Sequence, residues 1–218
     1  MGRAAKLKVT RREAPKPLRL DLGCGQNPRD GFLGVDRAET EEAFYVADLM
    51  KFPWDLRVSK HADVKSAPLI GLHQIGGRLP DGVVAEVYCS HFFEHIPGPT
   101  RFSWMDELWR VLKPPSSPGA KDGGTATILV PYYSSMRAVQ DPTHAWPPVC
   151  EASFLYFNRQ WRVDNKLDHY PVSCDFDFTF GHALAPDVAM KNDEARAFAL
   201  GHYINAAADL QVILTKRG

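Results

Sequence analysis

Three short apolar runs in the first fifty residues each stop on polar punctuation. Leu18-Arg19-Leu20-Asp21-Leu22 alternates and breaks at Gly23-Cys24-Gly25, Phe32-Leu33-Gly34-Val35 closes on Asp36, and Ala43-Phe44-Tyr45-Val46-Ala47 closes on Asp48. Short apolar-rich runs bounded by glycine or acid read as buried strands, and a succession of them separated by connections predicts a parallel α/β sheet. In a doubly wound sheet the three strand ends lie on one edge, where ligands bind. The 218 residues suffice for one domain with an elaboration, and 44% hydrophobic against 24% charged residues excludes a disordered chain.

The later chain continues the pattern. Val83 to Cys89 reads as a buried strand leading into Ser90-His91-Phe92-Phe93-Glu94-His95. Phe102, Met105, Leu108, Trp109 and Leu112 recur at helical spacing, which predicts a core-facing helix over 102–112 ended by Pro114-Pro115. Thr125 to Val130 reads as a strand stopped by Pro131, and 174–180 and 210–215 as further strands around a helix over 194–205. Residues 56–81 and 114–123 lack periodicity and read as insertions, and 132–172, aromatic-rich with helical character near 151–157, reads as the substrate side. Together these predict a single domain over 18–218: a Rossmann-like, doubly wound, mostly parallel sheet with the last two strands as an antiparallel edge.

Charge is balanced overall but not locally. Residues 1–20 carry seven basic residues against Glu13 alone, so the rest of the chain holds the compensating −6. The arm over 1–17 reads as a solvated, mobile terminus, with steering toward nucleic acid as the functional alternative. A removable transit peptide fits poorly, because the segment lacks serine and a core strand begins by Leu18. No run approaches the roughly 18 uncharged apolar residues of a membrane span. The four cysteines, Cys24, Cys89, Cys150 and Cys174, form no C-x-x-C pair, so no metal site is expected and reduced thiols in a cytoplasmic compartment are.

Glycines at the first strand end permit positive φ and a close approach of ligand to backbone. A carboxylate at the second strand end suits the paired hydroxyls of a ribose, and one at the third can face an adenine amino group. D-x-G-x-G lacks the third glycine of a dinucleotide fingerprint, and Pro28 stands where its helix would start, so a dehydrogenase is disfavoured.

The ordered set LRLDLGCG, GFLGVD, VADL, EVYCSHFFEHI, ELWRVLKP and GGTATILVP, spanning roughly 18–131, resembles the class I S-adenosylmethionine-dependent methyltransferases. It is most similar to small members of that family carrying S-H-x-x-E-H-I, L-x-R-V-L-K-P-G-G, D-P-T-H and S-F-x-Y-F segments, the last two matched by 141–144 and 153–157. The resemblance implies a seven-strand sheet with an antiparallel final pair and S-adenosyl-L-methionine as cofactor. It implies Gly23, Cys24 and Gly25 against the cofactor's amino-acid portion, Asp21 supporting that turn, Asp36 on the ribose, and Asp48 with the Leu49 backbone on the adenine. Ser90 and His91 would stand near the transferred methyl.

Two departures stand out. Only ten residues separate Gly25 from Asp36, too few for a full first helix, and PSSPGAKD parts Lys113-Pro114 from Gly123-Gly124. For catalysis, His144 as base oriented by Asp141 competes evenly with a turn in which Asp141 caps and His144 satisfies backbone. Glu94 and His95 read as capping or backbone-binding groups, Trp104 and Trp109 as core, and Cys24 as a small apolar residue. No [DNS]-P-P-[FYW] or Pro-Cys segment follows the fourth strand. The expected acceptor is therefore a small hydroxyl-bearing molecule, such as a sugar or other metabolite. The alternatives are a nucleic acid or protein acceptor, or a non-catalytic cofactor-binding module.

Overall fold

The computed structural model describes residues 17–63 and 77–218. The basic arm up to residue 16 and the middle of the 56–81 insertion lie outside the described residues.

Among the described residues, nine strands form one sheet: β1 Leu18–Leu22, β2 Leu33–Asp36, β3 Tyr45–Val46, β4 Asp55–Val58, β5 Gly77–Arg78, β6 Val84–Ser90, β7 Thr125–Pro131, β8 Phe176–Leu184 and β9 Ala207–Lys216. Their order is β5-β4-β3-β2-β1-β6-β7-β9-β8. The central run from β3 to β7 is parallel throughout, and β9 and β8 close one side antiparallel, as expected. The expected count of seven is exceeded by β4 and β5, an antiparallel pair on the far edge that begins at Asp55, one residue ahead of the segment read as an insertion. Their signal is too short to read in sequence. In β4 only Leu56 turns inward, between outward Asp55 and Arg57, and β5 has two residues.

Helix α1 runs Gly98–Val111, with Pro99 in its first turn, where the missing N–H costs nothing. It starts four residues before the apolar spacing does, and stops where Leu112 turns extended ahead of Pro114. Its inner face, Trp104, Met105, Leu108 and Val111, is fully buried, and Trp104 meets Trp54 edge-on at 5.5 Å. Short helices α2 Met136–Gln140, α3 Arg159–Asp164 and α4 Pro186–Ala189 follow, then α5 Asp193–His202, with 3-10 turns at Phe93–His95 and Glu151–Phe157.

The two faces of the sheet are covered differently. On the α1 side, Ala126, Ile128, Val130, Leu210, Val212 and Leu214 are completely buried. On the other side, Thr125, Thr127 and Leu129 of the central strand β7 stay half-buried, and Ile213 is 38% exposed. No helix joins β1 to β2, as their spacing predicts, and the loop 23–32 lies on that second face instead. Cys24 and Pro28 press on Gly34, where an added Cβ would come within 2.7 Å of the sulfur. The Arg29 guanidinium sits 4.3 Å over the Tyr88 ring.

The insertion between α1 and β7 leaves the sheet intact because its ends meet. Lys113 N–H donates to Val84 O at 2.8 Å and Gly124 N–H to Lys113 O at 2.9 Å. A surface excursion closed in this way costs little, since loop-closure entropy grows only slowly with length.

Candidate active site

The parallel register places the carboxyl ends of β1, β2, β3 and β6 side by side. After β1 the chain turns at Gly23, whose φ is +73°, and Gly25, whose φ is +56°. Gly23 N–H donates to Val35 O at 2.8 Å, which ties the turn to β2. Asp21 is buried at the base of the turn and accepts the Arg29 N–H at 2.7 Å; burial raises its pKa against that hydrogen bond. Asp36 closes the turn from β2, its Oδ2 accepting Gly25 N–H at 2.9 Å and its Oδ1 accepting Ala38 N–H at 2.9 Å. Asp21, Gly23, Cys24 and Ser90 border one hollow of about 360 Å³ with Asn27, Arg29 and Tyr88.

Asp48 stands farther along the same rim and lines a second hollow of about 590 Å³ with Lys51 and Arg57. Its Oδ1 accepts Met50 N–H at 3.1 Å and its Oδ2 lies 3.3 Å from Lys51 Nζ. Leu49 is buried, and its carbonyl accepts the Trp54 indole N–H at 3.1 Å. Asp36 and Asp48 therefore both hold the turn after their own strand while standing at adjacent strand ends. A carboxylate has about four acceptor positions, so capping does not exhaust it. The Cys24 thiol, pushed up to about 12 by burial and then by Asp36 and Asp21, stays protonated near neutral pH, in line with its reading as a small apolar side chain.

β6 delivers a second group of side chains. His91, at φ +53°, lies 3.3 Å through Nδ1 from Glu94 Oε1, and that carboxylate raises the His91 pKa. The 3-10 turn Phe93–His95 then carries Glu94 and His95 toward the loop 141–148. Ala145 N–H donates to Glu94 O at 2.8 Å, and the His95 and His144 rings meet at 4.8 Å. The buried Arg101 guanidinium holds the loop from below, bonding Ile96 O, Ala145 O and Pro147 O, and its removal from water lowers its pKa to about 10.

Of the two arrangements D-P-T-H allows, the capping turn is formed and the Asp141–His144 hydrogen bond is not. Asp141 Oδ2 stays 3.8 Å from His144 Nε2, beyond hydrogen-bond reach. Asp141 Oδ1 instead accepts both the N–H and the hydroxyl of Thr143, at 2.8 and 2.7 Å, while His144 Nδ1 lies 3.1 Å from Ala138 O. A carboxylate two residues before an amide and a hydroxyl satisfies both locally, and this short-range capping outcompetes the more distant imidazole.

No protein-family model matches the chain, and no curated protein does. Solved structures do. A SAM-dependent methyltransferase from Archaeoglobus fulgidus superposes with a TM-score of 0.53 at 18% identity, over 92% of this chain and 86% of that one. A putative S-adenosylmethionine-dependent methyltransferase from Listeria monocytogenes gives 0.43 at 13% identity, over 94% of this chain and 91% of that one.

The chain has the class I methyltransferase fold.

Within the methyltransferase fold, the glycine turn stands after the first strand and the S-H-x-x-E-H segment ends β6, at the same rim. Three contributors escaped the sequence reading: Arg101, and Glu94 and His95 as partners of the 141–145 loop. Arg101 has no local signature, since its acceptors are backbone carbonyls up to 46 residues away. A readable hint did exist for the other two. Three of the chain's eight histidines fall in two short segments, H-x-x-E-H and D-P-T-H.

Proposed function

We propose that this protein transfers a methyl group from S-adenosyl-L-methionine to a small hydroxyl-bearing acceptor. The observation that carries this reading is the Asp36–Gly25 link beside the Ser90-lined hollow, on a methyltransferase fold. About 360 Å³ is within the usual range of small-molecule sites. Gly23, Cys24 and Gly25 would receive the amino-acid portion, Asp36 the ribose hydroxyls, and Asp48 with Leu49 the adenine.

The bound cofactor supplies an activated methyl with a good leaving group. The chain's task is then to align the acceptor and exclude water. Ser90 and His91 would stand near the transferred methyl, and the loop 141–148 would wall the acceptor side. Activation of the hydroxyl falls to the region where His91, His95, His144 and Glu94 converge, with Asp141 shaping its loop.

Calorimetry on the full chain tests the reading directly. S-adenosylmethionine and S-adenosylhomocysteine should each bind with one site, and Asp36→Asn should weaken both about tenfold, equivalent to roughly 1.4 kcal/mol. Absence of binding by either nucleoside rejects the proposal. A homocysteine-release screen over sugars and other polyols then identifies the acceptor. The basic arm favours one competing reading, a polymeric acceptor. Under that reading, deletion of residues 2–16 would flatten the salt dependence of RNA or DNA binding.

A further inference from the structure

Among the described residues, Glu94 is a buried carboxylate with an unmet acceptor. It is 7% exposed, its Oε1 faces His91, and its buried Oε2 has no hydrogen-bond partner. A buried acceptor left unpaired costs about 1–3 kcal/mol, more when charged, so a stable fold rarely keeps one without a use. Glu94, His95 and His144 each place one ligand-type atom within 4.8 Å of the others.

The hydrogen bonds around the two imidazoles decide where their lone pairs lie. Ala138 O can only accept, so His144 Nδ1, 3.1 Å away, carries the hydrogen and the Nε2 of the neutral ring is left with the lone pair. The Thr143 hydroxyl spends its hydrogen on Asp141 Oδ1 at 2.7 Å, so its oxygen accepts from His95 Nδ1 at 3.1 Å, and Nε2 is again the free nitrogen. Thr143 O, 3.4 Å from the same Nδ1, reinforces that tautomer. An imidazole that donates its second N–H to a carbonyl or to a carboxylate-bound group has the outer-shell arrangement of a metal ligand. Arg101 and the Ala145–Glu94 backbone bond hold the two halves in place.

We propose that Glu94 Oε2, His95 Nε2 and His144 Nε2 bind a first-row divalent cation whose remaining positions take the acceptor's hydroxyl. Two imidazoles and one carboxylate suit Mn²⁺, Co²⁺, Fe²⁺ or Zn²⁺ better than the all-oxygen preference of Mg²⁺ or Ca²⁺, and three protein ligands leave the cation open to a further oxygen. The catalytic part rests on the proposed methyl transfer. The cation lowers the pKa of the bound hydroxyl, whose proton leaves to water. The O–C bond then forms as the C–S bond breaks, and the electron pair stays on sulfur, so the alkoxide and sulfonium charges cancel. In this arrangement His144 is a ligand and not the base.

The test uses the untagged full chain after chelator treatment, titrated with Mn²⁺, Co²⁺ and Zn²⁺, with Mg²⁺ as the hard-cation control. One equivalent of a transition cation should bind, and Co²⁺ should develop a ligand-field absorption. Glu94→Gln and His144→Ala should each weaken binding about 100-fold, and the outer variant Thr143→Val about tenfold. Circular dichroism confirms that each variant is folded, and Glu94→Gln, being isosteric, serves if His144→Ala is not. Stoichiometric absence of cation binding, or Glu94→Gln binding as tightly as wild type, overturns the site. S-adenosylhomocysteine binding is measured on the same metal-free sample. Nucleoside binding without cation binding rejects this inference alone, and cation binding without nucleoside binding rejects the methyl-transfer reading alone.

Discussion

Where β1, β2 and β3 end, the rim is shaped by backbone: two glycines at positive φ, and acids that each accept amide hydrogens close to their own strand end. Past β6 the same rim is shaped by side chains that meet from segments about fifty residues apart, with the Arg101 fork and the His95–Thr143–Asp141 chain between them. The first region tolerates side-chain change but not added volume or altered φ. The second is less tolerant of losing a donor or an acceptor, because buried Arg101 and Glu94 anchor it and most of its polar groups are bonded to one another. The difference predicts that lesions in the two regions separate cofactor affinity from acceptor chemistry.

The largest effect is expected from Arg101→Met. It strips three carbonyls of their partner in a buried setting and should cost about 2–4 kcal/mol by urea denaturation. Methyl transfer should fall while S-adenosylhomocysteine affinity stays within about twofold; an equal loss of both would show that the regions are not separable. Gly23→Ala comes next. An added Cβ would lie 2.5 Å from the Phe92 ring at φ +73°, whereas at Gly25 nothing stands within 4 Å. Gly23→Ala should therefore lose roughly 1–3 kcal/mol from conformation, contact strain in addition, and most of the nucleoside affinity. Gly25→Ala should lose only the conformational part, and equal losses at the two positions would break the steric account.

The smallest effect lies at the opposite rim and calibrates the other two. Lys216 is buried, donates to Leu112 O at 2.8 Å, and has its pKa lowered to about 8 by desolvation. The unfolded chain holds that proton up to the ordinary lysine range. Between about 8 and the ordinary value the unfolded state binds more protons, so stability rises with pH. The melting temperature of wild type, taken relative to Lys216→Met, should increase from pH 7.5 to 10. A pH-independent difference would exclude the assigned cause.

Much of the first region was legible because its geometry is local. An alternating run, a glycine turn and an acid lie within a few residues of one another, and ten residues between Gly25 and Asp36 leave no room for a helix, which is what the fold shows. The α1 stripe was equally plain, although its first turn, Gly98-Pro99-Thr100, holds no apolar residue and was missed. β4 and β5 were invisible because two to four residues on a sheet edge need only one inward side chain. Asp141 illustrates a choice that spacing left open. A pairing with His144 was plausible from spacing, but Thr143 stands nearer and offers two hydrogens.

Sequence alone determined the strand ends, the glycine turn and the order in which acids follow along the rim, because φ preference and strand periodicity act between near neighbours. Only the tertiary structure decided which imidazole nitrogen is free, that Glu94 keeps an unpaired buried oxygen, and that Arg101 pins a loop to α1. Those outcomes depend on which donors and acceptors are left over after the backbone has paired, and that remainder is settled only once distant segments are packed out of water.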